Sequence, residues 1–488
     1  MLPALHSLTI KQLHWVASLS LLAGCAVNIP KPTPQELAPA ATEWNSPLQS
    51  SASVQNSWAS WQDASLNTLL AHTLASHPNI AQAKAKINEA RAEAAAIGAH
   101  LWPNISATAG YSRGMNSLPN AESAKNLANA GLDARWELDL WGGIAAARQG
   151  VYANLSSNEN AYEQAAASLA AELANTLTAY RACKGQEAIS AQILESHILS
   201  ARLMHSKLDV GLASLVDAAK SDHEQAEARF QASDIATQCG VTLKALVAIT
   251  GLQEDALKTM LAPEAGMMPG RPALAVKSIP AEVLADRPDI KSAALLLETA
   301  AAEVAVKEVA RYPSASLLGM ICVGCQLSEG INLDSRNWSF GISLNIPVFN
   351  AGELSAKQDA AMARYQQAIH SYQQLARQAV REIEENMLRL DDSQRRTQVL
   401  QQQLSLARVQ LKASQALYKA GSASQLQTAE TERYELAAQS RLLTLQREQS
   451  ANWIALYKAL GGKAPNNAEQ KDQQAQSAVI TKSTQNNR

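Results

Sequence analysis

Gly211-Leu-Ala-Ser214 closes one long proline-free run, and Gly421-Ser-Ala-Ser424 closes another 210 residues later. Glycine just past a helix end is a standard stop, because it enters the left-handed region without a Cβ clash. The same offset joins Pro78 to Pro288, Ile80 to Ile290, Trp102-Pro103 to Tyr312-Pro313, and Gly251 to Gly461. Only 22 glycines and 17 prolines occur in 488 residues, so agreement at one offset is not chance. The chain is therefore two tandem copies of one structural unit.

Each copy reads alike. A helix over 79–100 or 289–310 ends at Trp102-Pro103 or Tyr312-Pro313. Two extended segments follow, at 105–111 and 131–141, then at 315–322 and 338–346 in the second copy. Alternation is clearest in Phe340, Ile342, Leu344 and Ile346, and in Leu132, Ala134, Trp136, Leu138 and Leu140. A very long helix comes next, over 143–208 or 353–419. Apolar residues recur there in steps of three and four, as in Tyr162, Ala166, Leu169, Leu173, Leu177 and Tyr180. That is a coiled-coil seam, and a helix of this length is a rod of ~100 Å. After the glycine turn a second helix returns to Gly251 or Gly461.

The predicted organisation is a signal peptide with lipobox at 1–24, a lipidated extended arm at 25–60, a first repeat at 61–251, a connector at 252–285, a second repeat at 286–462, and a disordered tail at 463–488. The connector is expected to be irregular. Lys11 and His14 precede a short apolar run, Trp15 to Ala23, which ends in Leu22-Ala23-Gly24-Cys25. A run this short is a signal peptide rather than a span. Small residues before a cysteine form a lipobox, so Cys25 is the lipidation candidate, and several acyl chains on one residue give stable anchoring. Ala26 favours outer-membrane delivery.

Composition narrows the function classes. The net charge is −2, with no basic surplus to bind nucleic acid. No run of about 18 apolar residues exists to make a transmembrane helix, so any membrane crossing uses strands. Four strands cannot close a barrel, and lipid does not tolerate open edges. Three chains would supply a 12-stranded barrel. Trp102, Trp141, Tyr312 and Phe349 sit at the helix-side ends of the four strands, which matches an interfacial aromatic girdle. Aromatics capping a soluble sheet are the alternative.

Several motifs together carry a resemblance. They are the lipobox at Cys25, Trp61-Gln-Asp63 with Leu66 and Leu69, Leu138-Asp-Leu-Trp-Gly142, Leu284 to Ile290 (Leu-Ala-Asp-Arg-Pro-Asp-Ile), Arg311 to Leu317, Ile346 to Gly352, and the two glycine tips. In this order the chain resembles the TolC family of outer-membrane factors, in its lipidated NodT-like branch, over nearly all of residues 22–462. The resemblance implies a mostly α fold with a small membrane β part. Two tandem repeats give four strands per chain, a homotrimer completes the barrel, and a coiled-coil tunnel continues it through the periplasm. It implies the channel subunit of a tripartite efflux pump of the resistance–nodulation–division type, lying in the outer membrane. Its partners would be a periplasmic membrane-fusion adaptor, an inner-membrane pump and outer-membrane lipids, with no enzymatic activity and no cofactor. An outer channel for type I protein secretion and a non-channel structural lipoprotein are the other classes.

The resemblance places adaptor contacts at the tips, at Gly211, Ser214, Gly421 and Ser424; plain helix stops are the alternative. It also places a constricting acidic ring at the positions held here by Gln427 and Glu430, so the ring departs from the family pattern. A solvated outer-face glutamate is the alternative for Glu430. No G-x-S-x-G, His-Glu-x-x-His or phosphate loop is present. Met267-Met268 and Met204-His205 are packing or surface pairs rather than metal sites. Cys322-Val-Gly-Cys325 has redox spacing but lies at a strand end, and a local disulfide and free thiols both stay open.

Cys183 and Cys239 each lie 28 residues from Gly211. In a hairpin turning there they share one level, ~42 Å from the tip. That makes a bridge geometrically possible in an oxidising compartment; two separate buried thiols are the alternative. The second copy carries Ser393 and Gln449 at the equivalent places.

Overall fold

The computed structural model describes residues 27–33, 37, 44–45, 58–61, 63–114, 125–270, 280–323 and 336–462. The signal peptide, Cys25, Cys325, the tail and most of the arm lie outside these residues. After a short 3-10 turn at Trp58–Trp61, the elements are α1 (Ala64–Ser76), α2 (Pro78–Ala99), β1 (Asn104–Gly114), β2 (Lys125–Leu138), α3 (Gly143–Asp209), α4 (Leu215–Thr250), α5 (Glu254–Leu261), α6 (Pro280–Asp286), α7 (Pro288–Val309), β3 (Ser314–Val323), β4 (Arg336–Asn345), α8 (Glu353–Lys419) and α9 (Gln425–Ala459). The chain is mostly helical, and the helix–strand–strand–helix–helix order occurs twice.

Two expectations need correction. The connector is partly helical: Leu257 and Leu261 give α5 a buried face, and α6 runs across the expected boundary at 285/286. Proline also sits inside the first turn of α2 and α7 rather than before it. That position needs no N–H, and proline's fixed φ already suits the helix.

The chain forms two compact units, one from residues 1–38, 85–159 and 292–373, the other from 39–84, 160–291 and 374–488. The first unit holds an antiparallel sheet of order β1-β2-β3-β4. Its helical core packs Leu297, Ala301 and Val304 of α7 against Ala361, Tyr365 and Ile369 of α8, with Ile29 and Leu37 of the arm laid on it. Small residues let α3 come close to α7. A Cβ on Gly150 would stand 3.0 Å from the Ala302 methyl. Thr299 donates to the Gly150 carbonyl at 3.2 Å, and the Ser157 and Ser292 hydroxyls meet at 2.8 Å.

The second unit is built on the coiled-coil seams. Ala166, Leu169, Leu173, Leu177 and Tyr180 of α3 are buried, as are Val380, Ile383, Met387 and Leu390 of α8. Trp58, Trp61, Trp453 and Tyr457 form an aromatic cluster, with Trp61 and Trp453 edge-on at 4.9 Å and Trp453 stacked on Tyr457 at 5.3 Å. Buried aromatics of this size dominate core energetics. Asp63 accepts the Leu66 N–H as N-cap of α1 and also pairs with buried Arg181, which reaches Glu264 as well. Arg287, also buried, donates to Asp289 at 2.7 Å, Glu382 at 3.1 Å and the Ala459 carbonyl at 2.9 Å.

Candidate functional site

Side chains alternate along a strand, so register decides what each face of a sheet presents. Here Trp338 pairs with Ile321, Ile321 with Leu132, and Leu132 with Ala107. Two residues along, Phe340, Gly319, Ala134 and Ile105 line up; two further, Ile342, Leu317 and Trp136 do so. One face is thus apolar across all four strands, and its Ile105, Leu132, Ile321, Trp338, Phe340 and Ile342 are exposed. The other face aligns Ser339, Met320, Asp133 and Ser106, then Asn337, Cys322, Gly131 and Thr108. Thr108 donates to the Asp133 carboxylate at 3.2 Å. Cys322 is disulfide-bonded. A sheet with one apolar and one polar face suits a wall between lipid and water. Strands β1 and β4 are its open edges.

The four girdle aromatics lie where strands give way to helices. Trp102 and Phe349 are exposed. Trp141 lies beyond the end of β2 at Leu138, not inside the strand as its sequence suggests. Its ring centroid stands 5.4 Å from that of Tyr312, and its indole N–H donates to the Pro313 carbonyl at 2.6 Å. Asp139 caps α3, accepting the Ile144 and Ala145 N–H groups at 3.0 and 2.8 Å.

Both glycine tips are built alike. Gly211 and Gly421 take φ of 74° and 75°. The N–H of Leu212 reaches back to the Lys207 carbonyl at 2.8 Å, and that of Ser422 to the Leu417 carbonyl at 2.9 Å. This is a Schellman closure, which needs a left-handed residue at the glycine. Ser214 then caps α4 in a box with Asp217, and Ser424 caps α9 by accepting the Gln427 N–H. The tips differ in chemistry: Val210, Leu212, Leu215 and Val216 are exposed around the first.

Between the helices, Cys183 and Cys239 are disulfide-bonded, their Cα atoms 5.4 Å apart. Gln427 and Glu430 are exposed, and the Glu430 carboxylate accepts the Tyr434 hydroxyl at 2.9 Å. That hydrogen bond raises the Tyr434 pKa. One group of contacts had no signal in the sequence. Arg433 of α9 donates to the Ser196 and Ser200 hydroxyls of α3 at 3.1 and 3.0 Å, and Ser196 donates to the Ala429 carbonyl at 3.2 Å. Lower on the same pair of helices, Gln186 donates to the Ser440 carbonyl at 2.7 Å. The two hairpins are thus tied by polar contacts rather than by a continuous apolar seam.

A model of the outer membrane efflux protein family matches residues 69–252 and 279–462, one match for each repeat. The chain belongs to that family. Members are channel proteins of the outer membrane. The pyoverdine export outer membrane protein OpmQ of Pseudomonas aeruginosa is 28% identical over 93% of this chain and 97% of its own length. The cation efflux system protein CusC of Escherichia coli is 26% identical over 88% of this chain and 93% of its own. The solved structure of the outer-membrane channel OprN superposes with a TM-score of 0.75 at 24% identity, covering 89% of this chain and 98% of that one. As a family member the chain is an efflux channel component, and the two-faced sheet and hairpins described above are its working parts.

Proposed function

We propose that the chain is the outer-membrane subunit of a tripartite efflux system, a passive exit duct fed by a periplasmic adaptor and an inner-membrane pump. The observation that carries this is the four-stranded sheet with one continuous apolar face and two open edges. In lipid each unpaired backbone group at an edge costs several kcal/mol. Closure of β1 against β4 of a neighbour, repeated in a homotrimer, removes that cost and leaves the polar face around a lumen. Trp102, Trp141, Tyr312 and Phe349 then mark the membrane–water boundary, and acyl chains on Cys25 add a lipid anchor.

The tips at Gly211, Ser214, Gly421 and Ser424 serve adaptor docking, supported by the apolar residues left open around the first tip. Gln427 and Glu430 narrow the periplasmic entrance, with three Glu430 carboxylates favouring cations. The Arg433 contacts hold the second hairpin inward. The cargo is a small molecule or ion, in line with the pyoverdine and cation named for OpmQ and CusC. Deleting the gene should raise intracellular accumulation of an exported dye, antibiotic or metal salt across a susceptibility panel, and the gene supplied in trans should restore export. Unchanged susceptibility to every class would contradict an efflux role.

A further inference from the structure

At the foot of the sheet lies an apolar cavity of about 500 Å³ that the channel function does not use. Its walls include Leu138, Trp141, Ile144, Val306, Val309 and Leu354. Trp141 and Tyr312 stand side by side on one wall. The volume falls in the range that takes a small ligand, and the walls lack a convergent set of polar groups to orient one. Asp139 is occupied in capping α3, and the Trp141 N–H is spent on Pro313. The cavity therefore suits an unbranched apolar occupant.

The course of the arm says which one. Val27 donates its backbone N–H to the Trp141 carbonyl at 3.2 Å. Ile29 and Leu37 pack on the core formed by α7 and α8, so the arm is docked in a defined register. Cys25 is two residues before Val27, and two extended residues span at most ~7 Å. The Cys25 sulfur and amine are thus tethered within acyl-chain reach of the cavity.

We infer that the cavity bounded by Leu138, Trp141, Ile144, Val306 and Val309 receives one acyl chain of the lipid carried on Cys25. This rests on the reading of Cys25 as the lipidated residue. Docking one chain in protein gives the anchor a second role: it holds the start of the arm against the foot of the barrel, while the remaining chains enter the membrane. Filling the cavity also removes its apolar lining from water.

The test uses the full-length protein made in cells fed a fatty acid with a diazirine near its terminal methyl. After irradiation, cross-linked peptides are identified by mass spectrometry. The expected product joins the acylated N-terminal peptide beginning at Cys25 to peptides holding residues 138–147 or 306–313. Its yield should fall several-fold in Ala147→Phe, which fills the cavity, and hold in Phe340→Ala on the exposed sheet face. An acylated Cys25 whose chains cross-link only to phospholipid would overturn the inference and leave the anchor standing. Cross-linking of free phospholipid, not the Cys25 peptide, to the cavity would overturn it too. A Cys25 found without acyl chains would remove the anchor itself, and the inference with it.

Discussion

The Gln449 side-chain amide donates to the Ser393 backbone carbonyl at 2.6 Å, at the positions where the first repeat carries Cys239 and Cys183. One pair of equivalent sites is thus held covalently in the first hairpin and by a hydrogen bond in the second. The disulfide closes a separation of 56 residues. In the chain-entropy model such a loop contributes about 4 kcal/mol, against about 1 kcal/mol for a neutral hydrogen bond. Cys183→Ser/Cys239→Ser should lower the unfolding midpoint, and reductant should do the same to the wild type but not to the variant. Complete alkylation of both thiols in protein unfolded without reductant would show that the bridge is absent.

Unequal stapling leaves the second hairpin the freer one, and Arg433 is what ties it to α3. Arg433→Ala removes two charge-assisted bonds to Ser196 and Ser200. Bonds to charged groups contribute about 1.5–3 kcal/mol when buried and less when partly exposed, so the open state should gain roughly tenfold in population. Single-channel recording reads this as higher open probability, with Ser196→Ala/Ser200→Ala showing a smaller rise. An unchanged open probability in both would remove these contacts from gating.

His197 makes the same contact region sensitive to pH. Its Nδ1 is buried without a hydrogen-bond partner, 3.8 Å from Glu224 of α4. Burial, then the Arg433 charge, hold its pKa below the ordinary 6.5, and Glu224 only partly offsets them. A histidine with a depressed folded pKa takes up its proton more readily once the packing opens, so the closed arrangement weakens as pH falls through and below 6.5. Acidification from neutral pH to about 5.5 should raise open probability, and His197→Gln should flatten that response. An equal response in His197→Gln would assign the pH dependence elsewhere.

Much of the fold was legible because its markers are local. Gly211 and Gly421 announce themselves through the left-handed backbone only glycine takes cheaply, and the steps from Tyr162 to Tyr180 show a buried seam without any partner being known. Trp338 to Leu344 display a two-faced strand in the same way. Register was not legible: that Trp338 meets Ile321 and Ile321 meets Leu132 depends on residues up to 206 positions apart, as between Leu132 and Trp338. Nor was Arg433 distinguishable from the other surface cations of α9, since its partners lie 233 and 237 residues away. Helix α5 was missed because eight residues give too few turns for a period, and its burial comes from tertiary contact.

The docking proposal turns on Gly421. A tryptophan at φ of 75° incurs about 1–2 kcal/mol of backbone strain, and no neighbouring atom lies within 4 Å of its Cβ to clash. Gly421→Trp should therefore reach the membrane as trimers, migrate as such on unheated gels, and fail in efflux. Undiminished efflux would place docking elsewhere.

Conductance of the purified protein in a planar lipid bilayer tests the central claim most directly. If three open-edged sheets close around a polar lumen, detergent-purified protein should insert and give discrete, uniform current steps, with more frequent openings in Arg433→Ala and weaker cation preference in Glu430→Ala. Trimers that insert but pass no current, in the wild type and in Arg433→Ala alike, would contradict a channel.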